Sequence, residues 1–556
     1  MKVSRRDLLI GSAGVTAGLI FTPVPWKLLG DVSIWTQNWP WIPQPSQGPV
    51  ETKQSVCTLC AAGCGLRVRM AEGWPVGVSG VGTNPVTKGA LCPLGFGAHQ
   101  LNWHPRRLHE VRHRGRTSSW DEAQGALEKA CAEGPVAIVD GRPGRAASSV
   151  LERFAAKHGG NYRVALSSES RALGPYAAWS GVAASRLGYD LENAQTVVSF
   201  GTPLLDGWGT PGRFTRMWSE KAAGASDPEL RLIQIEAALS RTAARAWRWV
   251  AIREGSDAAL AAGIARVLRE ERLVAAKGPL PQMSMEEAAA QSGLTGQAIR
   301  ELAHTIAEKR PALVITPEAN PAIAALNVLL GAVGAPGGIV VRNKKALEHI
   351  ALEANSNSYR ALVIDSSVPW DLVPRSNVEV FRFAAWDGGG NAGDWLLPAP
   401  GFLEELTDVP TAPTSATETY GIAMNLLAQP AETKSAAQLL GKIDSTLPDI
   451  EKLIHTRCEQ LFQAKLGTIH AEQPVAVAKF ESAKKLEERL RNGAVWIDDS
   501  RHANSVRCAM KEWPAATRVL PAADWGAAWE APVLPALAEK LYKESNLRDA
   551  PARREA

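Results

Sequence analysis

The residues best suited to chemistry are four cysteines near the N-terminus, out of seven in the whole chain. Three of them lie close together as Cys57, Cys60 and Cys64, and Cys92 follows after an intervening stretch of 27 residues. Three closely spaced thiolates can bind one face of a cubane, and a distant fourth can bind the remaining corner. The spacing therefore predicts that Cys57, Cys60, Cys64 and Cys92 bind one [4Fe-4S] cluster.

Zinc and disulfide bonds are the two alternatives for these cysteines. A structural zinc ion usually takes two separated pairs of ligands, whereas this chain has a triplet and a single residue. Disulfides form in oxidising compartments, but a bond from Cys60 to either Cys57 or Cys64 would close a very small loop. Both alternatives are therefore disfavoured relative to a cluster.

The remaining cysteines and the nearby histidines are expected to be structural. Cys131 and Cys458 fall within helical patterns of apolar residues, where a free cysteine packs as a small apolar side chain. Cys508 lies in no clear pattern and receives no role. Four histidines are expected to form ordinary hydrogen bonds or to lie at the surface rather than to bind metal: His99, His104, His109 and His113.

The elements that must position the cysteines alternate between short apolar strands and helices, which predicts an α/β protein. Strands are predicted at 136–139, 196–200, 232–235, 313–315 and 362–364. Residues 257–271 have an apolar stripe at helical spacing, and this alternation implies parallel sheets covered on both faces. Ligands in such folds bind at the carboxyl ends of strands, so residues 201–212 and Glu236 are candidate positions for a nucleotide. Glycine there fits an ordinary turn equally well.

The N-terminus has the pattern of an export signal. Arg5 and Arg6 precede a weakly apolar stretch at 8–21, as in twin-arginine signals, and this stretch is too short for a spanning helix. A buried N-terminal helix is the alternative. The next residues, 22–43, are rich in proline and tryptophan, and we predict an extended arm that lies over a partner or a membrane interface.

Composition excludes several classes of protein. The 556 residues include 61 basic and 57 acidic side chains, and a net charge of +4 is too small to indicate a nucleic-acid surface. With 45% hydrophobic and 21% charged residues, the chain is not disordered as a whole. No apolar run reaches the roughly 18 residues of a spanning helix, so a polytopic membrane protein is excluded.

With the cysteine quartet and the α/β pattern together, the chain resembles the molybdopterin oxidoreductase superfamily, which includes formate dehydrogenases and nitrate reductases. The match runs from about Ser55 to about Lys442. Besides the quartet, it rests on residues 105–108 with 120–123, 190–194, 235–236 with 241–243, 253–260 and 393–399. The resemblance implies a multi-domain fold in which parallel-sheet α/β domains follow a small N-terminal [4Fe-4S] domain.

The chain also departs from the pattern of this family. Members usually have lysine or arginine two residues after the fourth cysteine, where this chain has Leu94. No cysteine stands where many members ligate the metal, and Ser167, Ser168 and Ser170 are only nominal substitutes. The C-terminal β-barrel of the family has no counterpart, since the pattern from Asp449 onward is mainly helical. We therefore predict that molybdopterin is absent and that no complete molybdenum site forms.

Five segments make up the domain organisation that the pattern and the resemblance imply. These are a twin-arginine signal and arm at 1–45, a [4Fe-4S] domain at 46–115, an α/β domain at 116–175 with 312–500, a nucleotide-fold-like domain at 176–311, and a C-terminal tail at 501–556.

Members of the superfamily that lack the metal centre occur in the menaquinone reductase (Qrc) complex and in alternative complex III, and the Trp/Pro-rich arm resembles that branch. The resemblance implies a non-catalytic electron-transfer subunit on the periplasmic side of the cytoplasmic membrane, exported by the twin-arginine pathway. It implies three partner subunits: a multihaem cytochrome c, a ferredoxin-like iron–sulfur protein and a quinone-binding integral membrane protein. The alternative is an active molybdenum or tungsten bis-pterin oxidoreductase that acts on a small substrate.

Overall fold

The computed structural model describes residues 4–21, 49–165, 167–224, 227–275, 279–342, 359–370, 378–389, 393–412, 414–498, 501–502, 508 and 510–514. The predicted Trp/Pro-rich arm and most of the predicted C-terminal tail lie outside these residues. The chain divides into two compact units, one of residues 1–51 with 69–76 and the other of 52–68 with 77–556. In the first unit, the predicted export signal forms the helix Arg5–Phe21. Among the described residues, no helix has both the length and the apolar character needed to cross a bilayer.

The strands are numbered in chain order. They are β1 Val50–Val56, β2 Gly65–Ala71, β3 Trp74–Gly80, β4 Val111–His113, β5 Arg116–Ser118, β6 Val136–Asp140, β7 Tyr162–Val164, β8 Leu187–Tyr189, β9 Thr196–Phe200, β10 Arg231–Glu236, β11 Arg248–Ala251, β12 Ala312–Ile315, β13 Ile339–Arg342, β14 Ala361–Ile364, β15 Glu379–Ala384, β16 Trp395–Pro398, β17 Thr407–Pro410, β18 Glu418–Ala423, β19 Thr468–His470, β20 Val475–Ala476, β21 Val495–Asp498 and β22 Arg501–His502.

The helices that follow the N-terminal one belong to the second unit. They are Pro93–Gly97, Trp120–Glu133, Ala146–Lys157, Ser168–Ala172, Gly174–Ser180, Pro211–Lys221, Arg241–Arg245, Asp257–Glu270, Met285–Ser292, Gly296–Glu308, Pro321–Leu329, Ala436–Ile443, Ile450–Ala464 and Ala483–Arg491. Short 3₁₀ helices are found at Ala98–Trp103, Ala184–Arg186, Leu191–Asn193 and Val477–Lys479.

A four-stranded parallel sheet has the order β11-β10-β9-β12. Every residue of β9 is buried, as expected for a strand that helices cover on both faces. The helix Asp257–Glu270 packs its predicted apolar stripe, which includes Leu260 and Ile264, into the core of this sheet. The sequence assigned Ala312–Ile315 to the following domain. That assignment is wrong, because β12 pairs with β9 and completes this sheet.

A seven-stranded sheet has the order β5-β4-β16-β15-β14-β6-β7. The strands from β16 to β7 run parallel, and β4 and β5 are antiparallel additions at one edge. The sheet joins residues 111–164 to residues 361–398, so the chain leaves this layer and returns to it. The loop after β6 begins at Gly141, and it lies at the carboxyl end of a parallel strand, where functional residues collect in such folds.

The last large sheet is antiparallel, with the order β17-β18-β21-β19-β20. The expectation that the chain is mainly helical after Asp449 is therefore wrong in part. Helices Ile450–Ala464 and Ala483–Arg491 are present, but β19, β20 and β21 lie among them and pair within the sheet. Strands of two to four residues are too short to show a two-residue periodicity, so the pattern did not reveal them. The predicted α/β fold class is confirmed.

Candidate iron–sulfur site

The first three cysteines lie in the loop that joins β1 to β2. Cys57 directly follows β1, and its backbone N–H donates to the carbonyl of Cys64 at 2.8 Å, which closes the loop. Gly63 has a φ of +60°, and a Cβ there would approach Val409 Cγ1 to 2.9 Å, so a residue without a side chain is required before Cys64. The loop therefore holds three thiols on one short, closed stretch of chain.

A separate element positions Cys92. It is the N-cap residue of the short helix Pro93–Gly97, and the amide of Gly95 donates to its Sγ at 3.4 Å. Leu94 is buried in this helix, so the position at which the family usually carries a cation holds an apolar side chain facing away from water. An amide donor to sulfur favours the thiolate and is one of the factors that set the potential of a cluster.

The environment of the quartet shifts the pKa values of three of its thiols upward. Burial raises the pKa of Cys57 and of Cys64. Cys60 and Cys92 raise both values further, and Cys57 adds to the effect on Cys64. Burial also raises the pKa of Cys92, although the amides of Gly95 and Leu94 act against it. Bare thiolates are therefore disfavoured here, and a cationic centre such as iron is needed to keep the sulfurs deprotonated.

The four thiols form no disulfide that would compete with a cluster. All four are free cysteines. Within the part of the chain that the structure describes, no three His, Cys, Asp or Glu side chains converge as the ligands of one metal ion do. Sulfurs around zinc share one centre at about 2.3 Å, whereas each sulfur around a cubane binds a different iron atom and the sulfurs lie farther apart. The assignment of the quartet as cluster ligands stays a prediction, which a cysteine variant tests.

Sequence reasoning missed Arg142, which lies against the cysteine loop. Its guanidinium donates from Nη1 to the carbonyl of Thr58 and from Nη2 to the carbonyl of Leu59, the two residues between Cys57 and Cys60. The position of Arg142, just after β6, was the available signal, because the carboxyl ends of parallel strands carry functional residues. Arg67 and Arg69, which follow Cys64 on β2, are exposed and face away from the buried side of that strand.

A cavity of about 500 Å³ lies beside the cysteine loop. Its lining includes Cys60 from the loop, and Arg142, Trp370 and Glu405 from other elements. Burial raises the pKa of Glu405 to about 7. The cavity therefore places a protonatable carboxyl group and a guanidinium close to a cysteine of the quartet.

Two of the three serines considered as metal ligands border this cavity. Ser167 and Ser170 line it, whereas Ser168 does not. The hydroxyl of Ser167 donates to the hydroxyl of Ser170 at 2.9 Å and accepts from the amide of Ser170 at 3.0 Å, because Ser167 caps the helix Ser168–Ala172. Cys60 is the one cysteine among the described lining residues, and it already belongs to the quartet. These side chains offer hydroxyl oxygens and the thiol of a quartet cysteine. They are therefore a poor match to a molybdenum centre that a protein thiolate ligates.

The predicted nucleotide positions lie at the carboxyl ends of β9 and β10. Gly201 follows β9 with a φ of +63°, which accounts for glycine at this turn. Glu236 ends β10 and accepts from the amide of Ser240 at 3.1 Å and from Gln234 Nε2 at 2.8 Å. The hydroxyl of Thr202 and Oε1 of Gln234 are buried and have no hydrogen-bond partner. A nucleotide at this position stays a prediction.

The other cysteines and the histidines have packing or hydrogen-bonding roles. Cys458 is fully buried in the core of the C-terminal sheet, and Cys131 and Cys508 pack against other cores. The four histidines contact the carbonyl of Phe96, the amide of Arg106, the carboxylate of Glu432 and the ring of Trp395, in the order His99, His104, His109 and His113. The prediction that Cys131 and Cys458 pack as apolar side chains is confirmed.

Comparison with known proteins tests the resemblance of this chain to the molybdopterin oxidoreductase superfamily. A sequence profile of the molybdopterin oxidoreductase Fe4S4 domain matches residues 50–101, which include all four cysteines of the quartet. Acetylene hydratase from Pelobacter acetylenicus has the same fold, with a TM-score of 0.55 at 13% identity over 88% of this chain and 78% of that one. The resemblance of this chain to the molybdopterin oxidoreductase superfamily is therefore confirmed, and its N-terminal part is of the [4Fe-4S]-binding type.

Two curated relatives match by sequence over longer stretches of the chain than the domain profile does. The chain is 30% identical over 365 residues to the menaquinone reductase, molybdopterin-binding-like subunit, of Nitratidesulfovibrio vulgaris, an alignment that covers 61% of this chain and 52% of that protein. It is also 30% identical over 245 residues to a sulfite dehydrogenase subunit of Allochromatium vinosum, over 41% of this chain and 24% of that protein. The alignments thus span about half of the first relative and about a quarter of the second.

Proposed function

We propose that this chain is an electron-transfer subunit that carries one [4Fe-4S] cluster in a quinone-linked redox complex. The observation that carries the proposal is the match of residues 50–101 to an Fe4S4 domain, because Cys57, Cys60, Cys64 and Cys92 all lie within it, two of them buried and two partly exposed. A cluster of this type, when bound, supplies one-electron transfer. The chain itself contributes the burial of two sulfurs, the amide donor to Cys92 and the partly exposed sulfurs through which a partner reaches the centre.

We further propose that no molybdenum centre forms. The support comes from the apolar Leu94 after the fourth cysteine and from serine hydroxyls that already bond to each other at the cavity. The relative named as molybdopterin-binding-like is consistent with a chain that keeps the fold of a pterin enzyme for another use. Under this proposal, the chain is a non-catalytic subunit of an oxidoreductase complex.

The proposed setting is the periplasmic side of the cytoplasmic membrane. It rests on the twin arginine at the start of the N-terminal helix and on the menaquinone reductase relative. The proposed partners are a multihaem cytochrome c, a ferredoxin-like iron–sulfur protein and a quinone-binding membrane protein. Purification of the native assembly, followed by identification of the chains that co-purify, tests this setting. A chain that purifies alone and turns over a small substrate would contradict it.

Metal analysis separates this function from an active molybdenum or tungsten enzyme, which the cavity beside Cys60 keeps as the second candidate. We expect about four iron atoms per chain and no stoichiometric molybdenum or tungsten. About one molybdenum or tungsten atom per chain would favour the enzyme. The absence of iron would contradict both functions.

A further inference from the structure

Arg142 reaches the cysteine loop across a long distance in sequence. Its two terminal nitrogens donate to the consecutive carbonyls of Thr58 and Leu59, so the planar guanidinium spans the peptide between the first two cysteines. Arg142 also lines the cavity, as do Thr58, Leu59 and Cys60 of the loop. The charged group therefore lies against the segment that separates Cys57 from Cys60.

The charge of Arg142 is not neutralised locally. Among the described residues, no carboxylate lies within ion-pair distance of its guanidinium. Its neighbour Arg145 differs, since it contacts both Asp140 and Asp365 at 2.8 Å. Burial and the nearby Arg145 lower the pKa of Arg142, whereas Cys60 and Cys57 raise it, and both act more strongly than Asp365. Arginine stays protonated in proteins, so Arg142 presents a full positive charge to the cysteine loop.

We propose that Arg142 raises the reduction potential of the cluster by stabilising its reduced form. This inference rests on the proposed function, because it requires that the quartet carries a cluster. Reduction adds one negative charge to the cluster, and a nearby cation in a partly buried site favours that state over the oxidised one. The two hydrogen bonds to the loop fix the distance at which the charge acts. Arg142 thus acts on the cluster through its charge and does not bind iron.

The test is a potentiometric titration of the purified full-length protein, followed by the paramagnetic signal of the reduced cluster. In Arg142→Gln, we expect the equilibrium constant for one-electron reduction to fall by about tenfold, which is a shift of about 59 mV to more negative potential. Arg142→Lys keeps the charge but not the forked donor geometry, and we expect less than half of that shift. The matched control is Arg67→Gln, which removes an exposed arginine three residues after Cys64, and solvent screening should leave the potential unchanged.

The results separate a role of the charge from a role of the hydrogen bonds. An unchanged potential in Arg142→Gln, or equal shifts in the Gln and Lys variants, would overturn the proposal. Loss of iron from the Gln variant would also overturn it, because Arg142 would then be needed to retain the cluster rather than to set its potential. Failure of the proposed function looks different, since the unmodified protein would then contain no cluster.

Discussion

Gly212, the second residue of the helix Pro211–Lys221, lies directly against Cys64. A Cβ on Gly212 would approach the Sγ of Cys64 to 3.1 Å, and it would also approach Thr87 and the carbonyl of Ala90. The first turn of this helix therefore packs against the sulfur of Cys64. Glycine at this position lets the helix approach the sulfur closely.

Gly212→Ala is expected to destabilise the protein by about 1–2 kcal/mol and to speed the release of iron to a chelator. The added methyl group must displace Cys64, and this outweighs the helix propensity of alanine, which by itself favours the variant. Gly125→Ala is the control. Gly125 is exposed within the helix Trp120–Glu133 with open space around it, so alanine there should stabilise by about 0.5–1 kcal/mol. Unchanged iron release in Gly212→Ala would contradict close packing against the site.

Cys60→Ala is expected to abolish the low-temperature paramagnetic signal of the reduced cluster, since one of the four iron corners loses its thiolate. Cys131→Ala is the matched control, because Cys131 is also a partly exposed free cysteine but packs against the core of the seven-stranded sheet. The control should keep the signal. A full signal in Cys60→Ala would remove Cys60 from the ligand set.

Arg145→Met is expected to lower the free energy of unfolding at pH 7 by about 3–5 kcal/mol, because it leaves Asp140 and Asp365 buried without a cation. Denaturant titration measures the effect. The control Arg171→Met removes an ion pair with Glu318 at the surface, and its effect should stay below about 1 kcal/mol. Equal effects of the two substitutions would mean that the buried contacts of Arg145 with Asp140 and Asp365 stabilise the fold no more than a surface ion pair does.

The raised pKa of Glu405 predicts that the free energy of unfolding depends on pH. Burial, with a contribution from Asp365, raises its pKa from 4.5 to about 7 in the folded protein. The folded state therefore keeps the proton that the unfolded chain releases near pH 4.5. This stabilisation is complete below about pH 4.5 and is lost as the pH rises through about 7, and its full size is about 3 kcal/mol.

In Glu405→Gln, the side chain stays neutral at every pH, so the fall in stability between pH 5 and pH 8 should disappear. Denaturant titrations at several pH values measure this slope. Glu128→Gln, which changes an exposed glutamate in the helix Trp120–Glu133, should leave the slope as it is in the unmodified protein. A slope that persists in Glu405→Gln would assign the pH dependence to another group.

Much of the fold was predictable because its elements are specified locally. The strands predicted around Val136, Thr196, Leu232, Leu313 and Leu362 are all present, since each is an apolar run bounded by turn residues. The short strands after Asp449 were missed, because two to four residues become a strand only through partners that lie elsewhere in the chain. The end of the nucleotide-fold-like domain was misplaced for the same reason, as pairing with β9 assigns β12 to its sheet.

The cysteine quartet was identifiable from residue types and spacing, because thiolate chemistry and a short loop leave few alternatives to a cluster. Its surroundings were not. Arg142 and Gly212 lie 82 and 148 positions beyond Cys60 and Cys64, respectively, and no local pattern connects them to the loop. Parallel strands and their crossover helices bring these residues to the site, and long-range packing of this kind depends on the whole fold. The tertiary structure therefore decided which residues surround the cysteine quartet, whereas the quartet itself could be predicted as a ligand set from the sequence alone.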